Sequence, residues 1–407
     1  MSYRIFWKNI MPLNIAIIGG GPVGLTLARL LLAPPSNINV TIFERDASPV
    51  SQTTKGGTLD LRPDTGLAAI DAAGLRPAFD RVARSNPESG SWVIADRSGK
   101  RLFEKPVNPQ TANKHPEIDR GHLRTILLDG LPDDTIRWGA RLTSIADDGT
   151  LTFADSTLNA HVSQYDLVVG ADGAWSKVRA HITPSGPVFS GIGGFEMHVL
   201  AEEAERVGLA REVGGGLYWA VGGGRAVGAQ RLSNGTVMVY AMMSTRIAGE
   251  VTKICDECGG DWARVREHVR GIFEENGWAG EILAWMDAAD PKTMRVWPLY
   301  EYELPDGHVW EHRDGWTLVG DAAHVITPFA GEGVNSGMRD ALELSKRLRA
   351  LENRDALDAV VKEYEEEMFA RMRPVMMRTL KNKELRFNAD APSEVYLNIL
   401  RERMKPK

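Results

Sequence analysis

The apolar positions of the first fifty residues fall into short, nearly unbroken runs separated by turn residues. NIAIIGG at 14–20 is mostly β-branched, as in a strand that is buried on both faces. PVGLTLARLLL at 22–32 has helical character and is too apolar to be exposed, and a proline pair ends it. NVTIFER at 39–45 is the next predicted strand. Strand, glycine turn, helix and strand predict a βαβ unit with a right-handed crossover.

The rest of the chain contains further apolar strands and helices of this kind, and a long middle region with a different pattern. Residues 123–131 predict a buried helix, and 165–173 and 316–324 predict further apolar strands that end in turns. From 185 to 300, glycine-flanked runs such as GGLYWAVGGGRAVGAQ predict antiparallel strands of a sheet-rich domain inserted into the first. Residues 356–388 are charged and methionine-rich, which predicts one or two long helices, and the acidic run EYEEE within them predicts a solvated helix face.

Composition and charge narrow the class of protein. The 407 residues are 43% hydrophobic and 25% charged, as in an ordinary folded enzyme. A net charge of −6 without a basic run argues against nucleic acid or an anionic membrane as a partner. No apolar run reaches the ~18 residues that span a bilayer. The only cysteines, Cys255 and Cys258, exclude a disulfide-built secreted fold, so we expect a cytoplasmic protein.

Two local patterns resemble known signals but lack their context. The C-x-x-C of the two cysteines favours free thiols on a loop over a thioredoxin-like or zinc site, since no further ligands are evident. Basic residues precede an apolar run near the start, as in a signal peptide, but that run continues into a glycine cluster without a cleavage site. We interpret residues 1–11 as a short extension and Met11 as an alternative start.

The segment GGGPVG, from Gly19 to Gly24, fits the pattern G-x-G-x-x-G between a strand and a helix. Gly19 permits a tight turn, Gly21 lets a pyrophosphate approach the backbone, and Gly24 lets the helix pack against its strand. The helix N-terminus then presents its partial positive charge to the phosphates. Glu44 ends the second strand, where a carboxylate can bind ribose hydroxyls. These residues predict a dinucleotide site.

Two later strands also end in turns that carry an aspartate. Residues 170–173, GADG, read on their own as a plain turn before a helix. Asp321 follows the strand at 316–320 and can bind a polyol chain, while the amides of 331–335 form a positive helix end. Such an end can stabilise negative charge on a reduced ring. His324 is interpreted as a packed core histidine rather than a metal ligand, and no metal site is predicted.

In this order and at these separations, the three motifs resemble the group A flavoprotein monooxygenases, the family of para-hydroxybenzoate hydroxylase. The resemblance covers nearly the whole chain, and within the family the sequence looks most similar to the tetracycline-inactivating monooxygenases. The matching stretches are IAIIGGGPVGLTLARLL, FERD, GGTLDL, PEIDRGHLRTILL, DGAWSKVR and GDAAHVITPFAGEGVNSGMRDAL. The implied fold class is α/β, with a Rossmann-like FAD-binding domain, an inserted antiparallel-sheet substrate domain and a long C-terminal helix.

The resemblance also implies domain boundaries and a non-covalent FAD site. The FAD-binding domain would comprise 12–80, 105–184 and 296–352, the substrate domain 81–104 and 185–295, and the bridging helix 353–390. The ADP half of FAD would be bound by Gly19, Gly21, Pro22, Val23, Gly24, Glu44 and Arg45. Further contacts are implied for Asp60, Arg120, Asp321, Gly331, Gly333, Val334 and Asn335. Asp172 is implied to serve both FAD and the transient NADH or NADPH.

The implied reaction belongs to the flavin, while the protein positions and shields it. NAD(P)H reduces FAD, oxygen adds at flavin C4a, and one oxygen atom passes to the substrate, so no acid–base triad is predicted. The partners are O2 and an aromatic or polyketide-like small molecule, and we expect a monomer. A flavin reductase or oxidase without oxygen insertion, and a non-catalytic nucleotide-binding protein, remain alternatives.

Four residues are implied to line the substrate pocket. Arg225 and Phe329 match the arginine and the aromatic residue of the tetracycline subgroup, whereas Glu196 and Met238 stand where that subgroup has glutamine and histidine. These two departures put tetracycline itself in doubt as the substrate. Arg225 lies on a glycine-flanked turn, and the sequence leaves open whether it lines the pocket or the surface.

Overall fold

The computed structural model describes residues 12–52, 57–84, 91–105, 116–303, 310–388, 392 and 394–403. The strands are β1 (Leu13–Ile18), β2 (Ile38–Glu44), β3 (Thr58–Asp60), β4 (Trp92–Asp96), β5 (Arg101–Lys105), β6 (Glu117–Asp119), β7 (Ile136–Trp138), β8 (Leu142–Ile145), β9 (Thr150–Phe153), β10 (Ala160–His161), β11 (Leu167–Gly170), β12 (Val188–Phe189), β13 (Ile192–Val199), β14 (Leu217–Gly222), β15 (Arg225–Arg231), β16 (Val237–Ser244), β17 (Asp290–Val296), β18 (Tyr300–Glu301) and β19 (Trp316–Leu318). The helices are α1 (Pro22–Leu32), α2 (Gly66–Ala72), α3 (Arg76–Val82), α4 (Arg120–Leu128), α5 (Lys177–Ile182), α6 (Ala201–Arg206), α7 (Leu209–Val213), α8 (Gly249–Glu257), α9 (Trp262–Glu275), α10 (Gly280–Asp287), α11 (Asp321–His324), α12 (Gly333–Arg349), α13 (Leu357–Phe387) and α14 (Glu394–Arg403).

Five parallel strands form the sheet that carries the glycine motif, in the order β19-β11-β1-β2-β7. The central strand β1 is almost wholly buried, as its apolar sequence requires, and Asn14 is its one polar residue. Ile18 at its end lies opposite Phe43 of β2 and Gly170 of β11. Because parallel strands bring their carboxyl ends to one edge, the turns that follow these strands meet there. The predicted strand–helix–strand order is confirmed, and α1 spans 22–32 as predicted.

A second sheet has seven strands in the order β17-β13-β16-β15-β14-β4-β5, and β4 pairs with β14 in parallel while the other pairs are antiparallel. Its side chains alternate between two faces. We call the outer face the one covered by α6–α10, and the inner face the one that carries Trp219, Met238, Tyr240 and Met242. The strands between 185 and 300 are as predicted, but the five helices that cover the outer face were not predicted.

Helix α13 packs against the core around the parallel sheet at its start and against the inner face of the second sheet at its end. Its 31 residues span about 46 Å at ~1.5 Å per residue, and Pro374 lies inside without ending it. The first turns pack Val361 and Met368 into the core around the parallel sheet, whereas Phe387 at its end joins the inner-face cluster. Tyr396 of α14 packs into the same inner-face cluster. The predicted long C-terminal helix is confirmed.

The acidic run 363–367 is not uniformly solvated, contrary to prediction. Glu365 is only 2% exposed and accepts hydrogen bonds from Trp310 Nε1 at 3.3 Å and Thr317 Oγ1 at 2.7 Å. His312 Nδ1 lies 2.8 Å from its other oxygen. A buried carboxylate needs such partners, and they come from distant segments that the local acidic pattern does not reveal.

Three further predictions concern the cysteines, the chain start and membranes. The thiols of Cys255 and Cys258 are free, but they lie in α8 and at its C-cap rather than on a loop. Residues 1–11 fall outside the described residues. Within the part of the chain that the structure describes, no helix is both long and apolar enough to cross a membrane.

Candidate cofactor and substrate site

The turn between β1 and α1 is closed by backbone contacts that leave no room for side chains. A Cβ on Gly24 would lie 2.1 Å from the carbonyl oxygen of Gly19, and one on Gly19 would lie 2.3 Å from the carbonyl oxygen of Ala171. Gly21 differs, because a Cβ there would meet nothing within 4 Å. Its backbone therefore borders open space at the positive end of α1. Both features fit a pyrophosphate group.

Glu44 is held at the end of β2 by two backbone amides. Its buried carboxylate accepts hydrogen bonds from the amide of Gly20 at 2.5 Å and from that of Asp46 at 2.9 Å. Each oxygen keeps a second lone pair, which leaves capacity for ribose hydroxyls. Arg124, which was not singled out from the sequence, pairs with Asp46 at 3.0 Å and fixes this loop. Arg45 is exposed.

Asp321 opens α11 at the edge of the parallel sheet. The residue is exposed at the surface, although the protein groups around its carboxyl still bury that group in part. This burial raises the pKa of the Asp321 carboxyl, while His324 and Arg120 oppose the rise. No hydrogen bond to the carboxylate comes from the described residues. A partly buried carboxylate without a hydrogen-bond donor is unfavourable. The position therefore fits a polyol chain, whose hydroxyl groups would donate to it.

Behind Asp321 lies a fully buried carboxylate, Asp340 of α12, which sequence reasoning missed. It accepts a hydrogen bond from the amide of Gly320 at 2.8 Å and lies 2.6 Å from His324 Nε2. Arg371 of α13 completes the cluster at 3.0 Å. Burial opposes ionisation of Asp340, but His324, Arg371 and the amide together lower the pKa of its carboxyl. His324 is a buried histidine, as predicted, and helps to fix the segment that carries Asp321.

The Asp-Gly turn after β11 braces the same segment. The carboxylate of Asp172 accepts hydrogen bonds from the hydroxyl of Ser176 and, at 2.7 Å, from the amide of Lys177, so it holds the start of α5. Arg179 is 1% exposed and donates to the carbonyl oxygen of Ala323 at 2.9 Å. Its guanidinium therefore ties the Asp-Gly turn to α11. The sequence contained this arginine in DGAWSKVR, but only the fold gives it a role.

Residues 328–335, which we call the glycine turn, are joined to the segment after β3. Arg62 donates to the carbonyl oxygens of Ala330 at 3.1 Å and Gly331 at 3.2 Å, and it pairs with Glu332. Gly331 has a φ of +63°, which favours glycine, and a Cβ on Gly333 would meet nothing within 4 Å. The backbone of the turn therefore borders open space at the start of α12.

The side chain of Asn335 belongs to this brace. Its Nδ2 donates to the carbonyl oxygen of Asp60 at 2.7 Å, and its Oδ1 accepts from the amide of Arg62 at 2.9 Å. Asn335 is fully buried, whereas Gly333 and Val334 beside it are half-buried. Burial raises the pKa of the Asp60 carboxyl, against the effect of nearby Arg62.

Three polar side chains of α13 hold the glycine turn from its other side, and sequence reasoning did not identify them. The bonds are Thr379 Oγ1 to the carbonyl oxygen of Thr327 (2.8 Å), Asn382 Nδ2 to that of Phe329 (2.9 Å) and Arg378 to Glu332 (2.6 Å). The signal in the sequence was a change along the buried stripe of the helix, from methionines to polar residues. The turn is thus fixed on two sides before any ligand binds.

Aromatic side chains line the inner face opposite β3. Tyr240 stacks with Trp219 at 6.2 Å between ring centroids and lies 5.2 Å from Trp297. Its hydroxyl contacts only the weakly accepting sulfur of Met238, at 3.8 Å, among the described residues. A Cβ on Gly57 would lie 3.0 Å from that hydroxyl. The inner face therefore reaches residues 57–62, which run through β3 to Arg62 and which we call the FAD-side segment. Burial raises the pKa of Tyr240 above its usual range, which keeps the phenol protonated and able to donate.

The structure brings together three of the four predicted pocket residues. Met238 and Phe329 pack in the inner-face cluster, and Glu196 lies on the inner side of β13 opposite Tyr240. Glu196 pairs with Arg295 at 2.6 Å, and His198 and Arg295 lower the pKa of its carboxyl although burial opposes them. Its charge is therefore already compensated.

The structure places Arg225 outside the predicted substrate pocket. It begins β15 at a glycine hairpin and lies opposite Met243, whose side chain packs in the outer-face cluster. Since residues on a strand alternate between faces, Arg225 stands on the side away from Met238. Its guanidinium donates to the carbonyl oxygen of Gly223 at 3.0 Å. The glycine-rich register misled the prediction, because a shift of one residue exchanges the faces.

Comparison with known sequences places these features in context. The FAD binding domain family matches residues 13–379. Monooxygenase penA of Penicillium thymicola is 32% identical over 94% of this chain and 97% of its own length. Salicylate hydroxylase of Pseudomonas putida is 28% identical over 84% of this chain and 78% of its own.

Solved structures share the fold. Klebsiella pneumoniae HpxO, complexed with FAD and uric acid, superimposes with a TM-score of 0.75 at 23% identity, over 97% of this chain and 95% of that chain. The tetracycline destructase Tet(51) gives a TM-score of 0.65 at 18% identity, over 97% and 95%. The similarity therefore does not single out the tetracycline subgroup. Because the family match extends over both sheets and most of α13, the chain belongs to the FAD binding domain family and is a group A, FAD-dependent monooxygenase.

Proposed function

We propose that the protein hydroxylates a phenolic or polycyclic aromatic compound, using NADH or NADPH and O2. The observation that carries the proposal is the aromatic inner face around Tyr240, which lies next to the FAD-side segment at Gly57. When bound, FAD takes electrons from NAD(P)H and activates O2 for transfer to the substrate. The aromatic surface excludes water and accommodates a flat ring.

The residues proposed to hold FAD fall into three groups. Gly21 and the start of α1 would hold the pyrophosphate, and Glu44 would hold the ribose. Asp321, with Arg120 nearby, would hold the ribityl chain. The backbone from Gly331 to Asn335 would face the ring, where the positive start of α12 stabilises negative charge. These roles rest on the open space at Gly21, on the carboxylate of Asp321, which no described residue hydrogen-bonds, and on the braced turn described above.

Two pocket positions favour a substrate other than tetracycline. Glu196 is an acid already paired with Arg295, and Met238 is a buried thioether beside Tyr240. Neither offers the amide or imidazole that the resemblance associates with the tetracycline subgroup. We therefore propose a phenolic or polycyclic compound as substrate. The dependence on NAD(P)H supports the cytoplasmic location, and we propose that the protein acts as a monomer.

The proposed reaction is tested by coupling reductant use to oxygen incorporation. Aromatic compounds of one to four rings are screened for acceleration of NADH and NADPH oxidation. The molecular masses of the products are then measured by mass spectrometry after reaction in ¹⁸O2. We expect a hydroxylated product that carries one labelled oxygen for each NAD(P)H consumed. Substrate-stimulated oxidation that yields only hydrogen peroxide would support the reductase or oxidase alternative instead.

We expect Asp321→Asn to weaken FAD binding roughly tenfold or more, because a hydrogen bond to a charged group contributes ~1.5–3 kcal/mol. The same change should raise the Tm of the FAD-free protein at pH 7. The raised pKa means that ionisation of Asp321 costs stability as the pH rises through its folded pKa, so the gain should vanish below about pH 4. Titration with FAD and thermal unfolding of the apoprotein measure the two effects.

Glu196→Gln is the matched control, since the pKa of Glu196 is shifted in the opposite direction. It should lower the Tm at pH 7 and leave the FAD dissociation constant unchanged. Equal FAD affinities for the Asp321 and Glu196 variants would exclude the assignment of Asp321 to the cofactor.

Tyr240→Phe should raise KM for a phenolic substrate about tenfold, because the variant loses one hydrogen-bond donor worth ~1 kcal/mol or slightly more. FAD content should stay at the wild-type level. Arg225→Ala, on the other face of the sheet, should leave KM unchanged. Steady-state kinetics with a verified substrate measure KM for both variants. An unchanged KM in Tyr240→Phe would show that the inner face is not part of the substrate site.

A further inference from the structure

Arg386, in the last turn of α13, is a buried cation with few partners. Its side chain is enclosed, with the residue 4% exposed, and its guanidinium carbon lies 4.8 Å from the Trp219 ring centroid and 5.2 Å from that of Phe329. One terminal nitrogen donates to the hydroxyl of Tyr396 at 3.2 Å. Its Nε is buried without a hydrogen-bond partner.

The other strongly buried cations in the described ranges have partners for their charge or their donors. Arg371 pairs with Asp340, Arg124 pairs with Asp46, and Lys383 pairs with Glu301. Arg179 has no carboxylate partner, but its guanidinium donates to the backbone carbonyl oxygens of Ser185 at 3.0 Å and Ala323 at 2.9 Å. Among the described residues, Arg386 forms no ion pair with a carboxylate. Burying a charge without a counterion is costly, and stacking on aromatic rings offsets only part of that cost. The arrangement is therefore suited to receive an anion.

The position of Arg386 indicates which anion. Trp219 belongs to the inner face and stacks with Tyr240, whereas Phe329 belongs to the glycine turn. The guanidinium thus lies where the proposed substrate surface meets the proposed flavin-binding turn. Glu196, a carboxylate on the same face, is already paired with Arg295.

We propose that Arg386 binds an acidic group, specifically a carboxylate, on the aromatic substrate, and so selects aromatic acids over neutral analogues. This inference rests on the proposed function and adds the substrate's charge to it. A guanidinium suits the role because its planar donors match a carboxylate, while its faces stack on Trp219 and Phe329. Arg386 would act as a binding and specificity residue.

The test compares acids with their neutral amides in the FAD-loaded protein. The probes are 2-hydroxybenzoate and 2-hydroxybenzamide, together with the corresponding acid and amide pairs of naphthalene and anthracene. Binding is followed through the visible absorption of the bound flavin. We expect the wild type to bind at least one acid ten times or more tightly than its amide. Arg386→Met should abolish this preference, and Arg386→Lys should retain part of it.

Arg225→Met is the matched control, because it removes an arginine from the outer side of the same sheet, and it should keep the preference. If Arg386→Met loses FAD or fails to fold, the Lys variant decides, since a point charge should lower the acid-to-amide ratio several-fold. An unchanged ratio in a folded Arg386 variant overturns the inference. So does a wild type that prefers no acid in any pair. Hydroxylation of neutral compounds alone, with ¹⁸O incorporated, would refute the inference while leaving the proposed function intact.

Discussion

Gly24→Ala is expected to abolish FAD binding and to destabilise the protein by about 3 kcal/mol, whereas Gly21→Ala should weaken FAD binding without changing the stability of the protein. The new methyl group on residue 24 would lie 2.1 Å from the carbonyl oxygen of Gly19, and backbone atoms cannot move aside cheaply. At residue 21 the methyl group meets nothing within 4 Å, and the φ of −74° suits alanine. It would instead occupy the space proposed for the pyrophosphate.

The two effects are separated by measuring each variant with and without FAD. Unfolding of the apoprotein in urea gives the free energy of unfolding, and fluorescence titration gives the FAD dissociation constant. We expect Gly21→Ala to match the wild type in urea and to bind FAD on the order of 100-fold more weakly, a loss of about 2.7 kcal/mol. Wild-type FAD affinity in Gly21→Ala would place the pyrophosphate elsewhere.

Asp340→Asn is expected to lower the free energy of unfolding by about 3 kcal/mol, because it removes one partner of a buried charge cluster. The carboxylate is fully buried and engages His324, the amide of Gly320 and Arg371. FAD binding should weaken as well, since Gly320 directly precedes Asp321.

Glu367→Gln provides the control, because Glu367 pairs with the same Arg371 at 3.0 Å but is 37% exposed. It should cost less than about 1 kcal/mol. The pKa of Asp340 is lowered in the folded state, so its contribution is present above the unfolded pKa of about 3.9 and is lost as pH falls through the folded value. Denaturant unfolding should therefore show a constant difference between wild type and Asp340→Asn from pH 7 to about pH 4, and a smaller one below. Equal stabilities at pH 7 would contradict this account.

The parts of the fold that could be predicted are those encoded by local patterns. The helix at 22–32 was predictable because a glycine turn and a proline pair bound an apolar run. The buried strand before it was predictable because residues 15–18 are all apolar. The dinucleotide site followed from a motif of this kind, whereas the fold class and FAD were implied by the resemblance to a known family. The helices on the outer face, α6–α10, were missed because the surrounding sequence has the pattern of glycine-rich strands.

The braces of the site could not be predicted, since each joins residues that are distant in sequence. Asp340, Arg179 and Asn335 are ordinary residues in their own segments, and only the folded chain brings them to the carbonyls and amides that they bind. The predicted position of Arg225 in the pocket was wrong for a different reason. Strand periodicity fixes its face only once the register is known, and the flanking glycines leave that register undetermined.

The contacts of the glycine turn have a consequence for biosynthesis. Arg62 and Glu332 are 270 positions apart, and Asn335 reaches back 275 positions to Asp60. A ribosome makes the phosphate-binding turn early but the turn that would face the flavin only much later, and α13, which holds it, later still. A nascent or truncated chain that ends before α12 therefore lacks the part of the proposed cofactor site that would face the flavin ring. Such a chain should emerge without flavin, and so without the capacity to reduce oxygen, although it already contains the strands of the inner face.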